Sequence, residues 1–484
     1  MANVPLPGPK LIRAVHLPAA AREILETLRS AGHAGYVVGG SLRDVMLGRD
    51  PHDWDFTTDA RPERIQELFP GAIYENRFGT VTVRREGAEY QVTTFRSDHE
   101  YADHRRPHRI EFGDSIRGDL ARRDFTVNAM AWGFSRARAA GETAGTTVGG
   151  TAETAAGAAF GTTPGRSRLV DPFGGRADIA SRTLRAVGNA EHRFEEDSLR
   201  MIRAVRLAAT LGFQVDPETL GAIRAKSHLA GHLSGERVAT ELERLLQAPR
   251  PSVGLRLMEE TGLLRVVMPE LADQRGIAQN KIEGEDLWDH TLRAVDAAPR
   301  GRPIVRLAAL LHDVGKPPTL AEGHFHEHEK VGAGIAARIL ARLRVARATQ
   351  ERVVHLVRHH MFSYEPGWSD AAVRRFMGRI GTHGLEELFM LHEADNVGSG
   401  LPAEDDDLRE LRGRVAAQLE ANVPLTRADL AIDGDDLIAE FGLDSGPSLG
   451  RILDSLLDQV IADSGLNDRA TLMLLAQSML PEER

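Results

Sequence analysis

Two constellations of residues in this 484-residue chain have types and spacing that could do chemistry. The first lies in YVVGGSLRDVMLGRDPHDWDFTT, from Tyr36 to Thr58. Asp53 and Asp55 are two apart in what reads as a short strand, so both project from one face. Side-by-side carboxylates repel each other, and a hard divalent ion with oxygen ligands, Mg²⁺ above all, relieves that repulsion. Gly39 and Gly40 let a phosphate approach the backbone closely. Ser41 can cap the following helix, whose N-terminus favours anionic oxygens. DxD alone usually means a turn with two solvated aspartates, and GG before a helix is weak alone. In this order, with Arg43, they point to metal-dependent phosphoryl or nucleotidyl transfer.

The second constellation runs from His290 to Asp395. His290 opens the helix-like HTLRAV, and the apolar run VRLAALL delivers His312 and Asp313 in LLHDVGK. HEKVGA supplies His328, LVRHHM supplies His359 and His360, and EADN supplies Asp395. A lone histidine is more often structural, but this ordered set of imidazoles and carboxylates suits Mn²⁺, Ni²⁺, Fe²⁺ or Zn²⁺. Two such ions would activate water against a phosphoester. His324 and His326 read as bystanders, His326 being an alternative to His328. Between the constellations, RFEEDSLRMIRAVRLAATLGF (193–213) has the periodicity of one helix, with Asp197 and Arg200 neighbours one turn apart. They could be a surface ion pair. They could also select a base, because cytosine and adenine both present an amino donor beside a ring-nitrogen acceptor. An aspartate and an arginine complement that edge, whereas guanine and uracil reverse it. Arg203, one turn on, is a lesser candidate.

GGSLRD followed by DWDFTT resembles the nucleotidyltransferase superfamily that includes DNA polymerase β, specifically the branch of tRNA CCA-adding enzymes and bacterial poly(A) polymerases. That resemblance implies catalytic Asp53 and Asp55 as Mg²⁺ ligands, with Gly39, Gly40, Ser41 and Arg43 contacting nucleotide. The superfamily often has a third carboxylate before TTFR; here EYQVTTFR carries Gln91 at that point and Glu89 two residues earlier. Arg96 follows in the same string and is expected to contact nucleotide as well. RRDFTVNA resembles the family's RRDFTxNA motif and implies Arg123, Asp124 and Asn128 in the nucleotide pocket, and LVDPFGG resembles its sheet-closing turn. EDSLR matches EDxxR, implying that Asp197 and Arg200 read the incoming base, and GERVATELERLL resembles the next family helix. The order H…HD…H…H…D resembles the HD phosphohydrolases, implying His290, His312, Asp313, His328, His359 and Asp395 as metal ligands. DLIAEFGLDSGPSLGRIL resembles the family's tRNA-contacting tail.

The elements that must hold these residues follow from pattern. Residues 11–31 read as an amphipathic helix, RPERIQELF as a helix with Pro62 in its first turn, and TVTVRR and YQVTTFR as strands. RSDHEYADHRRPHRIEF reads as an Arg- and His-rich loop, either solvated or covering phosphates. Asp124 reads as a helix start. The Ala/Gly/Thr-rich 136–168 reads as a flexible insertion and EDDD (404–407) as a solvated linker. The fold class expected is α+β: a small nucleotidyltransferase sheet-and-helix head, then an all-α neck, HD body and tail. Boundaries are expected at 1–33, 34–190, 191–250, 251–400 and 401–484.

The chain has no cysteine, which excludes disulfides and thiolate metal sites, and its net charge of −10 argues against a uniformly basic nucleic-acid binder. Nearly all its positive charge is arginine. No membrane-length apolar run or signal pattern is seen, and a cytoplasmic enzyme is expected. The resemblance implies a CCA tRNA nucleotidyltransferase using CTP and ATP on the tRNA 3′ end, with an additional HD phosphohydrolase activity. The alternatives are a poly(A) polymerase, or an HD phosphohydrolase with a non-catalytic nucleotide-sensing half. Oligomeric state is not legible.

Overall fold

The computed structural model describes residues 17–51, 53–74, 79–101, 107–113, 115–136, 167–279 and 281–480. The expected flexible insertion falls almost wholly outside these residues, as do Arg105 and Arg106 of the Arg/His-rich stretch. Contacts divide the chain into two compact units: the part up to Glu241 with Val253–Val267, and Leu242–Ser252 with Met268 onward.

In the first unit, α1 (Ala19–Ser30) buries Ala20, Ala21, Ile24, Leu25 and Leu28, the single stripe expected of an amphipathic helix. Then come β1 (Gly35–Val38), α2 (Gly40–Met46), β2 (Asp55–Thr58), α3 (Pro62–Leu68), β3 (Ile73–Tyr74), β4 (Thr80–Arg85) and β5 (Ala88–Thr94). They are followed by β6 (Arg96–Tyr101), β7 (Pro107–Phe112), α4 (Ile116–Ala121), β8 (Ala131–Phe134), β9 (Arg168–Val170) and α5 (Gly175–Ser181). Seven strands form one sheet in the order β3-β4-β5-β2-β1-β8-β9. β2 and β5 pair in parallel; the neighbouring pairs are antiparallel. β1 is buried along its whole length, so the Tyr36–Thr58 stretch starts from inside the sheet, between β2 and β8. Its packing is tight: a Cβ on Gly133 would lie 2.0 Å from the Gly35 carbonyl oxygen.

Three sequence expectations change here. The Arg/His-rich stretch is not a loop throughout but a two-stranded ribbon, β6 paired with β7. Asp124 starts no α-helix; a single 3₁₀ turn, Thr126–Asn128, follows it. The stretch 193–213 is not one helix. It is α6 (Ala190–Glu196) and α7 (Leu199–Leu211), separated at Asp197, whose backbone is extended. The Asp197 carboxylate accepts from the Leu199 N–H at 3.1 Å, a local side-chain bond that competes with helix continuation. The remaining helices here are α8 (Pro217–Lys226), α9 (Gly235–Leu246), α10 (Pro251–Glu260) and α11 (Leu263–Val267), the last residues of α9 and the first of α10 lying beyond the unit's limits.

Short α12 (Pro269–Ala272) opens the main run of the second unit. It continues with α13 (Leu287–Ala297), α14 (Pro303–Leu311), α15 (Lys316–Thr319), α16 (His328–Arg342), α17 (Arg347–His359), α18 (Asp370–Ile380) and α19 (Thr382–Gly398). α14 is apolar almost all round and packs against α13, α17 and α19, as a central helix must. Next are α20 (Asp406–Glu420), α21 (Gly434–Phe441), α22 (Pro447–Ala462) and α23 (Arg469–Met479), with a core that includes Leu437, Leu456, Val460 and Leu472. The EDDD run is a helix start rather than a linker: Asp405 caps α20, accepting from Leu408 N–H at 2.8 Å. Buried Arg374 of α18 donates to the carbonyls of Ile461 (2.7 Å) and Ala462 (3.0 Å), closing the end of α22.

Candidate active site and metal centre

Gly39 adopts φ 76°, which favours glycine, at the turn from β1 into α2. A Cβ there would come within 3.0 Å of Arg123 Nη1 and 3.6 Å of Asp55 Oδ2, so turn, arginine and carboxylate meet at one point. Ser41 lies inside the first turn of α2 and does not cap it; its hydroxyl donates to Val38 O at 3.0 Å. Asp55 is the first residue of β2, and Asp53 is exposed just before the strand. Burial pushes the Asp55 carboxyl up, Arg123 pulls it down, and Asp53 pushes it up again. In the parallel register Asp55 stands opposite Gln91, and Glu89 is paired with exposed Arg84 at 2.8 Å. The position beside Asp55 therefore holds a neutral amide.

Behind this face runs a polar chain. Arg43 Nη1 donates to Asn128 Oδ1 at 2.8 Å, and Asn128 Nδ2 donates to Asp124 Oδ1 at 3.1 Å. Arg203 binds Asp124 Oδ2 through Nε (2.9 Å) and Nη2 (2.7 Å). Burial alone would raise the Asp124 carboxyl, but Arg203 and Asn128 outweigh it and hold it well below the carboxylate range. Arg122 and Arg123 both reach the fully buried Asp119, at 2.8 and 3.4 Å.

A cavity of about 290 Å³ is lined by Arg122, Arg123, Asp124, Asp197, Leu199, Arg200, Arg203 and Arg237. Asp197 and Arg200 both line it. Asp197 is gripped by Arg237 Nη2 at 2.8 and 3.0 Å, and Arg200 bonds Glu196 at 2.6 Å and the Arg122 carbonyl at 3.1 Å. Sequence reasoning missed Arg237 and Glu196 as partners. Arg237 lies 40 residues from Asp197, with no local signal linking them. Arg96 begins β6 and is outside the cavity lining.

The second unit gathers the histidines. His290 (α13), His312 at the end of α14 and Asp395 (α19) form one group; Asp313, His328 (α16) and His360 form another. Asp313 faces both: Oδ2 is 3.3 Å from His290 Nε2 and 3.2 Å from His312 Nε2, and Oδ1 is 3.4 Å from His328 Nε2 and 3.7 Å from His360 Nε2. Nδ1 of His312, His328 and His360 lies 2.7–3.0 Å from the carbonyl three residues earlier. That contact directs each Nε2 lone pair inward. Buried Asp313 Oδ1 has no hydrogen-bond partner. Four imidazoles gathered around a carboxylate that turns one oxygen to each histidine group, with Asp395 beside the first group, fit two divalent ions. Burial depresses His312, whereas Asp313 and Asp395 overcome burial to raise His290.

His360 stands in this cluster, not His359. His359 lies four residues after His355 on the same face of α17, their rings 4.6 Å apart. Burial, with His355 and Arg358, pushes it down to about 4. His324 and His326 are exposed and outside both groups. A Cβ on Gly315 would lie 2.1 Å from the His328 carbonyl oxygen and 2.6 Å from Gly332 N, so glycine sets how closely the His312-Asp313 turn approaches α16.

Comparison with known proteins bears on both sites. The family described as "Poly A polymerase head domain" matches residues 35–147, "Probable RNA and SrmB- binding site of polymerase A" matches 212–275, and "HD domain" matches 288–411. The CCA-adding enzyme of Lactococcus lactis subsp. cremoris (strain MG1363) is 30% identical over 477 residues, covering 96% of this chain and 97% of that protein. That of Geobacillus kaustophilus (strain HTA426) is 31% identical over 456 residues, covering 92% and 93%. The solved CCA-adding enzyme of Bacillus stearothermophilus, in complex with CTP, superposes with a TM-score of 0.67 at 28% identity, covering 94% and 96%. Identity at this level along nearly the whole of both chains, with the sheet, glycine turn and paired aspartates in place, leaves one assignment: the chain belongs to the CCA-adding enzyme family, as a nucleotidyltransferase with an HD domain.

Proposed function

We propose that this chain completes the 3′-terminal CCA of tRNA from CTP and ATP, with Asp53 and Asp55 as the Mg²⁺ ligands. The observation that carries the reading is the meeting of Gly39, Arg123 and Asp55 at one point, Arg123 also lining the cavity with Asp197 and Arg200. When bound, Mg²⁺ supplies polarisation of the α-phosphate and charge for the departing pyrophosphate. The chain's own residues do the rest. The Gly39 turn admits the triphosphate, and Arg43 and Arg123 face its oxygens. Asn128 and Asp124 keep Arg43 and Arg203 in place. Arg237 fixes the Asp197 carboxylate, whose Oδ2 keeps a lone pair for a base amino group, and Arg200 donates to the ring nitrogen. The RNA 3′-hydroxyl attacks the α-phosphorus and pyrophosphate leaves. Incubation with tRNA ending before CCA tests this: two additions with CTP and a third only with ATP are expected. Extended ATP-only tailing would instead favour poly(A) addition.

A second reading rests on Asp313, whose two oxygens face two histidine groups. The HD unit is a phosphohydrolase dependent on Mn²⁺, Ni²⁺, Fe²⁺ or Zn²⁺. Elemental analysis with phosphoester hydrolysis checks it, and a wild-type protein that takes up no such metal would sink it.

A further inference from the structure

Three nitrogen donors crowd one edge of the histidine–aspartate cluster, and neither ligand group includes them. Lys316 Nζ is 2.6 Å from Asp313 Oδ2 and 3.3 Å from Gln279 Oε1. Lys281 Nζ donates to Ser399 Oγ at 2.8 Å and lies 3.7 Å from Asp395 Oδ1. Gln279 gives its carbonyl oxygen to Lys316, while its buried amide nitrogen has no hydrogen-bond partner. Composition makes the placement pointed. Of 60 basic residues only Lys10, Lys226, Lys281, Lys316 and Lys330 are lysine, and two of these stand here. A lysine ammonium is a compact point charge, suited to a crowded ionic site where a guanidinium fork would not fit.

Charge balance says what these donors are for. The ligand set has carboxylates only at Asp313 and Asp395; its other members are imidazoles. Without ions, the two ammoniums neutralise those carboxylates. Divalent ions taking the same oxygens would deprive the ammoniums of their partners and leave an excess of positive charge, which calls for an anion. We infer that Lys281, Lys316 and the Gln279 amide form a clamp for the non-bridging oxygens of a phosphomonoester at the metal centre. The inference rests on reading the cluster as a two-metal site.

Inorganic phosphate is the probe, titrated calorimetrically into the full chain loaded with Mn²⁺, with bound manganese counted on the same samples. Lys281→Met and Gln279→Ala are expected to keep the wild-type manganese content and to weaken phosphate binding by on the order of tenfold each. Lys281→Arg should recover part of the loss, since the charge remains and the shape changes. Unaltered phosphate affinity in both variants, with manganese retained, overturns the clamp and leaves the metal centre standing. Manganese lost from Lys281→Met also overturns it, because the lysine then only shapes the ligands. A wild type that binds no manganese removes the metal reading and the clamp together.

Discussion

Burial holds the Asp55 carboxyl above its ordinary range despite the pull of Arg123, so ionising it works against the metal-free fold. The sign follows directly. A raised carboxyl contributes stability below its unfolded pKa, and that contribution is lost as pH rises through the folded value. Asp55→Asn should therefore raise the melting temperature of the metal-free protein at neutral pH while abolishing nucleotide addition. The gain should shrink as pH falls to where Asp55 is protonated. A melting temperature below wild type at neutral pH would show that the carboxylate stabilises rather than strains its site. For base selection, Arg200→Ala leaves a ring nitrogen unpaired, at about 1–3 kcal/mol, or roughly ten- to a hundredfold in discrimination. Relative kcat/KM for the four nucleoside triphosphates should flatten, and wild-type ratios would remove Arg200 from base reading. Even local spacing is legible only in part: the pattern predicts one strand carrying both Asp53 and Asp55, but β2 begins at Asp55 and Asp53 lies in the bend before it. Local spacing also fails between adjacent histidines, because a one-residue step turns about 100° around a helix and only the packing of α17 selects His360.

At the scale of elements, β1, β2, α2 and the helices rich in periodic apolar residues could be read from the sequence, since burial of one face writes the pattern. The break between α6 and α7 could not. Apolar spacing continues across Asp197, and the bond that ends the helix is a single carboxylate-to-backbone contact. Likewise the β6–β7 ribbon is polar and lacks the alternation that marks a half-buried strand. Two substitutions probe how elements hold the sites. Gly315→Ala must push the His312-Asp313 turn away from α16, so lower stability and weaker metal uptake are expected together, by thermal melting and elemental analysis. Unchanged metal content would mean the turn relaxes without moving the ligands. Arg374→Ala strips donors from the Ile461 and Ala462 carbonyls at the end of α22, a loss of about 1–3 kcal/mol readable by urea unfolding.

At the scale of the molecule, the arginine-lined cavity and the histidine cluster draw their residues from different units. His312→Ala combined with Asp313→Ala should abolish metal-dependent phosphoester hydrolysis and leave CCA addition at the wild-type rate. Loss of both activities in a protein with wild-type circular dichroism would mean that the two sites are coupled. The scarcity of lysine has its own consequence. Almost every cation of this chain is a guanidinium, indifferent to reagents that acylate amines. Lys226 is held by Glu191 and Glu195, and Lys330 by Glu327. Mild acetylation followed by peptide mass mapping thus becomes a footprint of the HD centre. Lys281 and Lys316 should change their labelling when manganese enters, while the nucleotide site, built of arginines, stays silent.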